Sequence, residues 1–145
     1  MSNALILYHA ADLMWASKIK ATAESLGLAA RPVRTLDMLD ARLTDPNPPH
    51  PVALLVDLDY PSELYHAHII RARELNASHP ATGTHAHPQS PASNTPRRLR
   101  ILAWGPHVDK AMLDAARSHG AVEVLTRGAL NHALDQVLVR LAAPL

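Results

Sequence analysis

The stretch "ALLVDLDYP", residues 53–61, decides how the rest of the chain is read. Four apolar residues run into Asp57, a second acid follows at Asp59, and Pro61 closes the segment. Taken with Val52, "VALLVDL" (52–58) is aliphatic without alternation, the pattern of a central strand covered on both faces. Such a strand needs helices above and below it, and the flanking sequence supplies them.

Toward the N-terminus, "ALILYHA" (4–10) reads as a first strand. Asp12 stands where an N-cap belongs, and Leu13, Ala16, Ile19, Ala23 and Leu26 share one helical face that ends at Gly27, a C-cap residue. "ARPVRT" (30–35) is a weaker strand, with Pro32 arguing for an edge position or a strand start. Leu36, Leu39 and Leu43 space a short helix that "DPNPPHP" (45–51) terminates.

Toward the C-terminus, a helix is expected from Ser62 to about Asn76, capped by Ser62. The segment 77–96, "ASHPATGTHAHPQSPASNTP", holds no aliphatic residue larger than Ala and cannot offset its ordering entropy, so it predicts a flexible insertion between the third helix and the fourth strand. "RLRILAW" (98–104) and "VEVLT" (122–126) resume strand character around a helix at 109–120. Residues 129–141 form a last helix through Leu130, Leu134, Val137, Leu138 and Leu141. Five strands alternating with five helices predict an α/β chain, with a doubly wound, five-stranded parallel sheet in one domain over 1–145.

A domain of 145 residues buries roughly 70% of the surface its unfolded chain exposes, so one core is available. With 48% apolar residues, 3% aromatics and no Phe, that core must be aliphatic. Fourteen basic and thirteen acidic side chains give a net charge of +1 without long runs of either sign, which points away from nucleic acid and anionic membranes. No run approaches the ~20 apolar residues of a membrane span and no signal region is visible, so a soluble, cytoplasmic chain is expected. The absence of cysteine excludes disulfides, thiolate nucleophiles and Cys-ligated zinc. His9 and Asp57 supply two ligands where a transition metal needs more, His66 and His68 are two apart on different helix faces, and no phosphate loop, Ser/His/Asp arrangement or carboxylate pair stands out. No metal, cofactor or catalytic residue is expected.

In such sheets functional groups gather at the C-terminal strand ends near the topological switch point. There, Asp57-Leu58-Asp59-Tyr60-Pro61 resembles the "D-L-x-M-P" segment of response-regulator receiver domains, and "HGAVEVLTRG" (119–128) resembles their "x-G-A-x-x-Y-L-x-K-P". The resemblance implies a flavodoxin-like sheet of order 2-1-3-4-5, with Asp57 at the phosphoacceptor-equivalent position. It also implies an acidic pair after strand one to hold magnesium, where this chain has Tyr8-His9-Ala10-Ala11. The hydroxyl expected after strand four falls in Trp104-Gly105-Pro106, Arg127 replaces the lysine, Gly128 replaces the proline, and Val124 replaces the switch aromatic.

The expectation is therefore a pseudo-receiver with a degenerate pocket of His9, Ala10, Asp57, Asp59, Trp104, Gly105 and Arg127. Asp57 would be held by Arg127, in a bidentate pair, or by backbone amides, while Arg127 could instead be an exposed loop residue. Trp104 and Tyr60 would either roof the pocket or pack as core. The implied role is a bacterial two-component signalling module acting through a protein partner or homodimer at residues 109–141, without catalysis. Two rivals are a small-molecule sensor or enzyme using the strand-end pocket, and an ordinary receiver phosphorylated on Asp57.

Overall fold

A computed structural model describes residues 4–59, 67–74, 99–105, 110–119 and 123–143. Strands β1 (Ala4–His9), β2 (Ala29–Pro32), β3 (His50–Asp57), β4 (Arg100–Gly105) and β5 (Glu123–Thr126) form one parallel sheet of order β2-β1-β3-β4-β5. The helices are α1 (Leu13–Ser25), α2 (Leu36–Leu43), α3 (67–74), α4 (Lys110–His119) and α5 (Arg127–Ala142). This is the flavodoxin-like doubly wound sheet expected from the sequence, in a single domain. Among the described residues no helix is long and apolar enough to cross a membrane.

Successive side chains of a strand point to opposite faces, so each central strand feeds two cores. Ile6 and Tyr8 of β1, Ala53 and Leu55 of β3, and Leu102 and Trp104 of β4 pack against Trp15, Ile19 and Ala23 of α1 and Leu130, Leu134 and Leu138 of α5. Leu5, Leu7, Leu54, Val56, Ile101 and Ala103 turn the other way, toward Leu39 of α2, Ile69 and Ala72 of α3, and Ala116 of α4. Complete burial of a Leu or Ile is worth about 1.5–3 kcal/mol, so these double-sided strands carry much of the hydrophobic stabilisation. That is the physical reason why "VALLVDL" shows no alternation.

Several element ends differ from the sequence expectation. Strand β1 stops at His9 rather than residue 10. Strand β2 covers Ala29–Pro32 instead of 30–35, because Thr35 caps α2 by accepting a hydrogen bond from the Met38 N–H at 3.1 Å. Strand β3 starts earlier, at His50, and its register against β1 shifts between Leu5 and Ile6, beside Pro51, which has no N–H to give the ladder. Helix α5 starts at Arg127, not 129, since Thr126 accepts from the Ala129 N–H at 3.1 Å. Asp12 caps α1 through the Trp15 N–H at 2.8 Å, and Gly27 takes a left-handed φ of 78° just beyond the helix, as their residue types indicated. The Ser62 cap, Tyr60 and the 77–96 segment lie outside the described residues.

Candidate functional site

Asp57 is the last residue of β3 and has no solvent exposure. By strand alternation its side chain falls on the α1/α5 side, where the chain leaving β1 turns toward α1. The Ala11 N–H donates to Asp57 Oδ2 at 2.8 Å and the Asp59 N–H donates to Oδ1 at 3.0 Å. Each carboxylate oxygen therefore has a backbone donor. Burial nevertheless pushes the Asp57 carboxyl up to about 6, outweighing the stabilising Ala11 N–H and the positive field of Arg127, while Asp12 adds to the rise.

Arg127 does not meet Asp57 in a bidentate pair. Its Nη2 forms an ion pair with Asp59 Oδ2, with the side chains 39% and 33% exposed. The cause is the early start of α5: Thr126 caps the helix, which puts Arg127 in its first turn, and the half-exposed Asp59 beyond β3 is the acid it reaches. Of the two alternatives for holding Asp57, backbone amides are the ones observed.

His9 ends β1 with the parity of Leu5 and Leu7, so it faces the α2/α3/α4 side, away from Asp57. There its ring stacks on His68 of α3, with centroids 4.0 Å apart and planes 9° from parallel, and both residues are fully buried. His68 Nε2 lies 2.9 Å from the Val33 carbonyl oxygen, which can only accept, so that nitrogen carries the proton. Burial, reinforced by the His68 charge interaction, lowers the His9 imidazole to about 3 and keeps it neutral. Helix α3 is held over this pair by Arg71, whose Nη1 donates to both oxygens of Asp40 in α2 at 2.9 and 2.8 Å.

Trp104 packs in the α1/α5 core, fully buried, its ring 5.3 Å from that of Trp15. Its indole Nε1 has no hydrogen-bond partner among the described residues, while its carbonyl accepts from the Leu58 N–H at 2.8 Å. Gly105 ends β4 beside Thr126 of β5, and Ala10 lines a cavity on the β1–β2 side. The strand ends thus bring Asp57, Asp59 and Arg127 together, but send His9 to the other face and Trp104 into the core. From sequence His68 figures only with His66, as a candidate metal motif, and is not placed beside His9; nothing local pairs His9 with a residue 59 positions away. Among the described residues no three His, Asp or Glu side chains converge as metal ligands.

No family model matches the sequence, and no curated protein matches it. Solved structures do resemble it in fold. The crystal structure of FixJ-N has a TM-score of 0.67 at 14% identity, covering all of this chain and 98% of that one. A response regulator receiver domain protein from Clostridium thermocellum gives 0.66 at 14% identity, over 96% and 94% of the two chains. Full-length FixJ from B. japonicum gives 0.60 at 18% identity, over 99% of this chain but 61% of its own. The fold is that of response-regulator receiver domains.

Proposed function

We propose that the chain is a receiver-like signalling module that works by protein–protein contact, without aspartyl phosphorylation, bound magnesium or catalysis of its own. The observation that carries this reading is the state of Asp57: fully buried, with both carboxylate oxygens taken by backbone N–H groups. Phosphoryl transfer depends on positioned cations that neutralise charge on the transferred oxygens. Around Asp57 the donor set does not suit magnesium, a hard cation that needs several free oxygens. Ala10 and Ala11 offer no side-chain oxygen, Asp12 is engaged as the α1 cap, and Asp59 is engaged by Arg127.

The partner surface we assign is residues 109–141, for a protein partner or a second copy of the chain. Its α5 outer face exposes Val139 at 53%. The fold neighbours are bacterial response regulators, which supports a bacterial, cytoplasmic setting. The test is intact-mass analysis after incubation with acetyl phosphate and magnesium. No phosphoryl adduct is expected; a stoichiometric adduct lost in Asp57→Asn would make the chain an ordinary phosphorylated receiver.

A further inference from the structure

We propose that the outer edge of the sheet carries a ligand site for a small organic monocarboxylate with an apolar body. This goes beyond the signalling reading and does not depend on it. A cavity of about 290 Å³ opens between the C-terminal ends of β1 and β2 and the first turns of α1. Asp57 does not line it, though Ala10 and Ala11 do and the Ala11 N–H donates to the Asp57 carboxylate.

The cavity exists because the chain places small side chains where the sheet runs out. Ala10 and Ala16 leave its inner wall shallow, and Pro32 ends the edge strand β2. The wall is therefore apolar, and the volume, at the low end for ligand pockets, suits a single ring or a short branched chain.

Its polar groups converge from different elements. Tyr8 of β1 is 4% exposed, reaches the lining, and its hydroxyl has no hydrogen bond among the described residues. Arg34, just beyond β2, is exposed, lines the same space and makes no hydrogen bond or ion pair among the described residues. Both side chains line the cavity, where burial raises the Tyr8 phenol and the Arg34 and Arg31 charges partly oppose that rise, to which Glu24 adds. A phenolic O–H and a guanidinium fork lining one cavity supply a donor set for one carboxylate. Asp12 also lines the cavity, with Oδ1 fixed by the Trp15 N–H, and its charge opposes a second anionic group. The site therefore selects monoanions over dianions.

The test uses benzoate, with benzamide as its neutral analogue and terephthalate as its dianion, followed by amide shifts in NMR. Benzoate should give saturable shifts at Ala10, Ala11 and Ala16, with a Kd of about 1 mM for a ligand of this size. Benzamide and terephthalate should both bind more weakly. Arg34→Met, a surface change that leaves the core intact, should weaken benzoate about ten-fold, and Tyr8→Phe about three-fold. Absence of saturable shifts at these amides up to about 20 mM benzoate would overturn the site, given the affinity a ligand of this size can reach. So would binding that Arg34→Met leaves unchanged, or that benzamide matches.

Discussion

His9 and Asp57 end neighbouring strands and are both fully buried, yet they sit on opposite faces of the sheet and meet burial differently. On the α3 side, His9 is kept neutral by desolvation and stacked on the His68 ring. On the α1/α5 side, Asp57 keeps two backbone donors, and its carboxyl still rises to about 6 because those donors only partly replace water. The difference teaches that a titratable group at a strand end need not be a working one. One of these is silenced by burial and the other is sealed by amides.

The two groups bias stability with pH in opposite directions. Folding lowers the His9 value from 6.5 to about 3, so below pH 6.5 the unfolded chain takes a proton that the fold refuses, and stability falls with falling pH. Folding raises the Asp57 value from 3.8 to about 6, so between these values the fold keeps a proton that the unfolded chain has released, and stability falls with rising pH. In the intact protein these trends partly cancel between pH 3.8 and 6, and single variants separate them.

The largest effect is expected from His9→Phe, which keeps an aromatic ring against His68 but cannot titrate. Relative to the parent it should gain on the order of 3 kcal/mol between pH 7 and pH 4, measured by urea unfolding at each pH. An unchanged difference would mean that the His9 ring takes up its proton without leaving the fold. Next comes Asp57→Asn, which removes the charge but not the side-chain carbonyl. Relative to the parent it should gain about 2 kcal/mol on going from pH 4 to pH 7, the reverse slope. A flat difference would show that the carboxylate is already well solvated or well paired.

The smallest effect belongs to the ion pair of Arg127 and Asp59, half-exposed and screened by solvent. Arg127→Ala should cost less than about 1 kcal/mol. A double-mutant cycle should find its coupling with Asp59→Ala, not Asp57→Ala. Larger coupling to Asp57 would restore the direct pair that the sequence suggested.

How far these two corners could be read from sequence follows from the range of the interactions that build them. The uninterrupted aliphatic run before Asp57 indicated a strand covered on both faces, and the Asp12 cap and Gly27 turn act within a few residues, so they were legible. Asp57, Asp59 and Arg127 were placed together by their segments, but the partner of Arg127 depends on where α5 starts. That start is set by the Thr126 hydroxyl, whereas the helical spacing of the leucines indicated only the middle of the helix. The stacking of His9 on His68 depends on how α3 lies across the sheet, with Arg71 held to Asp40 31 residues away, and no short motif encodes that. The cavity beside Tyr8 is a property of small side chains meeting at an edge, which appears only once β2 and α1 are side by side.

The most direct test of the sealed carboxylate is an NMR pH titration that follows the Asp57 carboxyl carbon together with the amide protons of Ala11 and Asp59. One common midpoint near 6 is expected, with both amide protons moving as the carboxylate they donate to gains its proton. A carboxyl midpoint at or below the ordinary value of 3.8, with the two amides unmoved, would contradict it.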